Sequence, residues 1–257
     1  MPISIFRALV ELEEQNRAAA LCMIVRSRGS TPRHASSKML VYPDGKILGT
    51  VGGGEIENRV IAEARQAILD GKPRLLEYQM ADPARGDAGV CGGQVEVYVE
   101  PIQPKPVIVV IGSGHVGKAV AHLAHWLGFR VAVSDDRVEL CTPQAVPEAE
   151  AYYPVAMADL PQHLPITPWT YLVLTTRGVD VDVQGLPALL DTPAAYIGVI
   201  GSQRRWAAAS KLLLEKGVSE EALRRVVTPI GLSLGAETPE EIAVSILAQI
   251  IALRSGT

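Results

Sequence analysis

Aromatic residues make up only 5% of this 257-residue chain, and its formal net charge is -4. So few rings leave little with which to stack unpaired bases. A mildly acidic balance gives no electrostatic pull toward nucleic acid or an anionic membrane. No apolar run approaches the roughly 20 residues that span a bilayer, so no membrane partner is expected. The opening stretch MPISIFRALVELEEQ turns acidic where a signal peptide stays apolar. Cysteine is scarce: Cys22, Cys91 and Cys141 cannot all pair, and a reduced, cytoplasmic setting is expected. CxxC, H-x-E and HExxH are all missing, which argues against structural or hydrolytic zinc. G-x-S-x-G and the Walker A pattern are missing too, and with them the serine-hydrolase elbow and the P-loop.

What is present is an ordinary globular composition, 48% hydrophobic and 20% charged, long enough for two domains. A seam falls at Glu100-Pro-Ile-Gln-Pro-Lys-Pro106, where three prolines in six residues suit an extended linker. Before it the pattern is mixed. Ile5, Phe6, Leu9, Val10 and Leu12 have helical spacing, 20–25 reads as a strand, and 38–42 and 46–51 flank a Pro43-Asp44-Gly45 turn. A helix carrying Ile56, Val60, Ile61, Ala64 and Ile68 follows, capped by Gly71, and Val95, Val97 and Val99 alternate with polar neighbours. After the seam, strands are expected at 107–111, 130–133, 171–175 and 195–200, with helices after the first and at 203–215, 219–224 and 239–253. Thr238-Pro-Glu-Glu241 supplies an N-cap, a first-turn proline and a capping-box glutamate. The expected fold is α/β: a C-terminal doubly wound, Rossmann-like parallel sheet (103–257) preceded by a smaller α+β domain (1–102).

Gly112-Ser-Gly114-His115-Val-Gly117 matches G-x-G-x-x-G between a buried-strand pattern and a helix. The first glycine makes the turn, the second lets a diphosphate approach, and the third packs helix on sheet. Backbone N–H groups at the helix start would hold the anion. The pair Asp135-Asp136 lies near the ~20-residue offset of a ribose-reading acid, with Arg137 adjoining it for a 2′-phosphate instead. Other candidates stand at the expected carboxyl ends of strands: Thr175-Thr176-Arg177, and Ser202 with Arg204 and Arg205. The two arginines suit phosphate or carboxylate, or else lie on a solvated helix face. His122 and His125 share a polar stripe with Lys118 and read as surface.

The first domain offers Gly29–His34, the loop at Gly52, Gly53 and Gly54 with Glu57 behind it, and Cys91-Gly92-Gly93. The triple glycine could hold an anion or only make a tight turn. Cys91 beside two glycines suits a soft-metal ligand or nucleophile, or is inert core. Cys22 alternates with apolar neighbours and reads as core. Nothing here specifies a catalytic group. An NAD(P)-dependent oxidoreductase is one alternative, although only His34, His115 and Cys91 offer acid–base chemistry. A Rossmann scaffold that joins proteins without a ligand is another.

GSTPRHASSKMLV (29–41), GTVGGGEIE (49–57), CGGQVEVYVEP (91–101), IGSGHVGKAVAHLAHWLGFRVAVSDDR (111–137), YIGVIGSQRR (196–205) and PIGLSLGAETPEEIAVSILAQIIALR (229–254) occur in this order. Together they resemble the XdhC/CoxI family of accessory proteins for molybdenum hydroxylases such as xanthine dehydrogenase, over nearly the whole chain. The resemblance implies a chaperone that binds molybdenum cofactor (molybdopterin or a nucleotide form) and protects it during sulfuration. It implies a molybdenum hydroxylase client, a cysteine desulfurase as sulfur source and a homodimer. On it, Cys91 is the expected contact to molybdenum, and Gly52–Gly54, Gly112–Gly117 and Ser202–Arg205 are expected anion sites. The chain departs from the family at Val179, where many members carry histidine, and at Ser233, where many carry aspartate.

Overall fold

The computed structural model describes residues 4–28, 35–79 and 94–255. They form two compact units, Met1–Pro104 and Lys105–Thr257.

In the first unit, β1 (Ala19–Arg28), β2 (Lys38–Val41), β3 (Ile47–Gly49), β4 (Arg74–Gln79) and β5 (Gln94–Ile102) form an antiparallel sheet in the order β3-β2-β1-β5-β4. Helix α2 (Gly54–Asp70) buries Val60, Ala64, Ala67 and Ile68 and packs on β5 and β1. Helix α1 (Ile5–Glu14) forms where the helical spacing places it. It buries Ala8 and Leu12 against Ala19 and Leu40, leaving Phe6 and Val10 exposed. The five apolar positions span two faces, and a single sheet covers only one. The proline-rich seam is also shorter than its sequence suggests. Strand β5 continues through Pro101, which pairs with Ala20, because the β4 ladder has already ended at Arg74–Val99. A residue without an N–H is tolerated where one neighbour is missing.

The second unit holds β6 (Val107–Ile111), β7 (Arg130–Ser134), β8 (Ala151–Tyr153), β9 (Thr170–Leu174), β10 (Tyr196–Val199) and β11 (Val226–Val227), all parallel, in the order β11-β10-β9-β6-β7-β8. Counted from β6 this is 6-5-4-1-2-3, the doubly wound dinucleotide order, with the switch point between β6 and β9. Continuous apolar runs fit strands covered on both faces. One core sets α3 (His115–Trp126) and α8 (Pro239–Ser255) against Ile108, Val110 and Val173. The other sets α5 (Val179–Leu190) and α6 (Gln203–Glu215), with the short helices α4 (Leu160–His163) and α7 (Glu220–Leu223), against Val109, Leu172 and Leu174. Thr238 and Glu241 form the expected capping box: Glu241 N–H donates to Thr238 Oγ1 at 3.2 Å and Thr238 N–H to Glu241 Oε2 at 3.1 Å.

Helix α5 has no expected counterpart. Val179-Asp-Val-Asp-Val183 alternates like a strand, and Gly185 and Pro187 are poor interior helix residues. Tertiary packing decides the outcome: a side chain at Gly185 would lie within about 2.6 Å of Met157, so glycine allows the close fit.

Leu172 is fully buried in the central strand. Leu172→Ala is expected to cost about 3 kcal/mol, read by urea denaturation, with the midpoint falling and the slope unchanged.

Candidate functional site

The carboxyl ends of β6, β7 and β9 carry the glycine-rich loop, the 135–137 segment and the 175–178 segment. Backbone pairing sets the loop's start: Gly112 N–H donates to Ser134 O at 2.8 Å and Thr175 N–H to Ile111 O at 2.8 Å. Gly112 sits at φ +104 against the Thr175–Thr176 backbone, where a side chain would be both strained and crowded. A Cβ on Gly117 would run into Gly112 O, so the third glycine lets α3 close onto its own loop. Gly114 is different. Its φ is -71°, open to any residue, and a Cβ there would meet nothing within 4 Å. Protein packing gives no reason for glycine at this position, whereas the approach of a ligand does.

Gly114 is also the N-cap of α3, with no side-chain cap and no acid in the first turn. The helix start therefore presents N–H groups and the positive end of its dipole with no acid in its own first turn, although the Asp135 carboxylate accepts from the N–H of the preceding Ser113. His115 is exposed at the first helical position.

Asp135 serves the loop itself. Its side chain is 2% exposed. It accepts from Ser113 N–H at 2.7 Å, Arg137 N–H at 3.0 Å, Arg137 Nε at 2.9 Å and Arg137 Nη2 at 2.8 Å. A carboxylate has about four acceptor sites, and four donors fill them. The acid that retains acceptor capacity is the next residue, Asp136, half-exposed and gripped by Arg177 through two bonds of 2.5 and 2.7 Å. Those bonds, and then the Arg177 charge, hold the Asp136 carboxyl down at about 2, against burial that opposes them.

A cavity of about 110 Å³ lies beside these groups, lined by Gly112, Ser134–Arg137, Val155–Ala158, Thr176, Arg177, Val181, Gln184 and Gly185. Ser134 Oγ is buried without a hydrogen-bond partner among the described residues, as is Ser113 Oγ.

The Ser202–Arg205 segment divides. Ser202 caps α6, accepting from Arg205 N–H at 3.2 Å, and Arg204 is exposed. Arg205 turns inward. It donates to Thr176 Oγ1 at 2.8 Å, to Thr176 O at 3.2 Å, and to Asp182 Oδ2 at 2.7 Å, while Thr176 Oγ1 also bonds Asp182. Asp182 is 1% exposed, so this guanidinium neutralises a buried charge and ties α6 to α5. The sequence left Arg205 open between a phosphate or carboxylate partner and a solvated face; its partner is a carboxylate of the protein's own. Val179, in place of the family histidine, is half-buried at the start of α5, and Ser233 is exposed.

In the first unit, Gly52, Gly53 and Gly54 all have positive φ. Glu57 Oε2 accepts from Thr50 Oγ1 at 2.5 Å and Val51 N–H at 3.3 Å. With Glu55 beside it, the start of α2 already carries negative charge. Cys22 is buried in β1, where desolvation pushes its thiol up to about 12, and Cys141 is buried with its thiol raised, chiefly by desolvation. Gly29–His34, Cys91 and Gly92 lie outside the described residues. Among the described residues there is no cluster of three or more His, Cys, Asp or Glu able to hold a metal, and no helix is long and apolar enough to cross a membrane.

Ser134, Met157 and Asp182 do not stand out in the sequence. Asp136 is visible next to Asp135, but sequence offset alone does not say which acid turns inward.

The fold and loop define a Rossmann-type domain with an uncapped helix start at its switch point. Residues 108–250 match the XdhC Rossmann domain and residues 12–79 the XdhC and CoxI family. The chain belongs to the XdhC and CoxI family. It is 39% identical over 256 residues to the uncharacterized protein YqeB of Escherichia coli K12, covering 99% of this chain and 47% of that one. It is 32% identical over 158 residues to a protein of Bacillus subtilis 168 named as a probable xanthine dehydrogenase component, covering 62% and 46%. These alignments span about half the length of those two relatives. The chain is 23% identical over 280 residues to the molybdenum cofactor insertion chaperone PaoD of Escherichia coli K12, covering 98% and 88%. A crystal structure described as a xanthine dehydrogenase from Bacillus halodurans shares the fold, with a TM-score of 0.53 at 21% identity, covering 99% of this chain and 96% of that one.

Two outcomes test this geometry. Arg205→Ala leaves Asp182 buried and poorly compensated, and is expected to cost about 3 kcal/mol or more, whereas exposed Arg204→Ala stays within about 0.5 kcal/mol; thermal unfolding of both variants checks it. Asp136 is depressed from an ordinary value of 3.8. Its pairing therefore contributes fully above that value and is lost as pH falls through about 2. Carboxyl NMR is expected to show the Asp136 midpoint near 2, returning toward 3.8 in Arg177→Ala.

Proposed function

We propose that this chain binds molybdenum cofactor as cargo, protects it while a cysteine desulfurase supplies its terminal sulfur, and inserts it into a xanthine dehydrogenase-type hydroxylase. The observation that carries this is the α3 cradle. It has an uncapped helix start, no first-turn acid, and a glycine whose missing side chain leaves open space. Such a site suits the cofactor's phosphate. Family membership supports the cargo role, as do the names of two relatives, a cofactor insertion chaperone and a probable xanthine dehydrogenase component.

Cys91 is the proposed ligand to molybdenum, since thiolate suits a soft metal. The buried, raised thiols of Cys22 and Cys141 support this by elimination. Arg177 and Arg204 are proposed as auxiliary anion contacts, and Ser202 as a hydroxyl contact. Gly52–Gly54 serves as a second backbone site only where Glu57 yields its place. A cytoplasmic homodimer is part of the same proposal. NAD(P) bound at the same glycine loop is the second reading, favoured by the 6-5-4-1-2-3 strand order.

Anaerobic titration with molybdenum cofactor and, separately, with NAD(H) and NADP(H) separates the two. Tight cofactor binding that weakens at least about tenfold in Cys91→Ala is expected, as for loss of a direct metal ligand. Submicromolar nicotinamide binding without cofactor binding contradicts the cargo role. Mass spectrometry after a brief native alkylation is expected to find Cys22 and Cys141 unmodified.

A further inference from the structure

We infer that the outer face of α8, with the neighbouring face of α3, is the surface through which two copies of this chain pair. The inference gives the proposed homodimer a place and rests on that reading, while the cargo role does not depend on it.

Helix α8 has its polarity inside out. Between Glu241 and Arg254 its only polar side chains are Ser245 and Gln249, and both turn into the unit. Ser245 Oγ donates to Leu232 O at 2.6 Å. Gln249 Oε1 accepts from Tyr196 Oη at 2.6 Å and Gly231 N–H at 3.0 Å, and Gln249 Nε2 donates to Gly231 O at 3.2 Å. The outward side is left with Val244, 49% exposed, Ile251, 40% exposed, and half-buried Ala248 between them. A helix that is apolar all round is ordinarily covered on every side. No helix among the described residues is long and apolar enough to cross a membrane, and a protein face is the cover that fits.

Spacing and charge select a second copy. Glu241, Val244, Ala248 and Ile251 follow one another at intervals of three, four and three residues, the rhythm of a helix–helix seam. Charge is split between the ends, with Glu240 and Glu241 in the first turn and Arg254 in the last. An antiparallel copy of α8, related by a two-fold axis near Ala248, satisfies both features. Val244 then packs on the partner's Ile251, and the acidic first turn lies along the partner's Arg254. Each contact occurs twice, as a two-fold interface requires. A parallel pair sets acid against acid.

A hole and a knob on this face obey the same symmetry. A groove of about 510 Å³ lies between the N-terminal halves of the two helices, lined by Lys118, Ala119, Leu123, Glu240, Ala243 and Val244. Trp126, 76% exposed, stands at the other end of α3, two turns beyond Ala119 on the same helical stripe. The end of α8 is close by, since Arg254 lies 5.0 Å over the ring of Phe129. The two-fold that brings Glu240 to the partner's Arg254 therefore brings the groove to the partner's Trp126. Tryptophan is a residue type enriched among the anchors of interfaces.

Analytical ultracentrifugation of the full chain over a concentration series, beside thermal unfolding, tests this. A dimer is expected, and Trp126→Ala and Val244→Glu are each expected to weaken it about tenfold or more, as for anchor residues. Glu240→Arg alone and Arg254→Glu alone set like charges together and are expected to weaken it too. The double swap, Glu240→Arg with Arg254→Glu, is expected to recover most of that loss, which damage to the fold would not allow. A chain that stays monomeric at every concentration overturns this inference and the homodimer reading together. A dimer that none of the four substitutions weakens overturns the placement and leaves the homodimer standing. Losses in both single swaps without recovery in the double overturn the antiparallel pairing.

Discussion

The carboxylate of Asp135 is the interaction on which the second unit's crevice depends. A charge this deeply buried is tolerated only when it is fully bonded. The chain meets that demand with one backbone N–H from the glycine loop and three donors from Arg137. The bond to Ser113 pins the loop to the end of β7, while the Thr175 hydroxyl holds it from the β9 side by donating to Gly112 O at 2.6 Å. Between these supports the start of α3 is held by bonds within the protein alone.

The same economy runs through the neighbouring polar groups. Asp182 is neutralised by Arg205, and Asp136 is held by Arg177. These pairs set the mutual positions of the segments that follow β7, β9 and β10. They also occupy several residues whose types alone suggest ligand binding. Among the described residues, what is left over is the uncapped α3 start with open Gly114, and the buried Ser113 and Ser134 hydroxyls and Arg205 Nε, which have no hydrogen-bond partner.

How much of this could be read in advance follows from what each signal encodes. Continuous apolar runs at 107–111 and 171–174 announce parallel strands, and the G-x-G-x-x-G between strand and helix announces the switch-point loop, because both are local constraints. The 203–215 helix and the Thr238 capping box were legible for the same reason. Helix α5 was not, since its Val-Asp alternation has period two and its glycine is justified only by Met157, which lies about 28 residues earlier. The fate of each charged residue was hidden for a related reason. Whether Asp135 or Asp136 faces a ligand, and whether Arg204 or Arg205 turns inward, depends on partners that only the fold brings near. In the first unit, Phe6 and Val10 fit the helical period, yet they lie on the face of α1 that the sheet does not cover.

The cradle itself is the claim from which the rest follows, and backbone amide NMR reads it directly. On anaerobic titration with molybdenum cofactor, the largest shifts are expected at the Gly114, His115 and Val116 amides, with smaller ones at Ser113. Saturable binding that leaves those amides unmoved, with shifts confined to other parts of the chain, contradicts it.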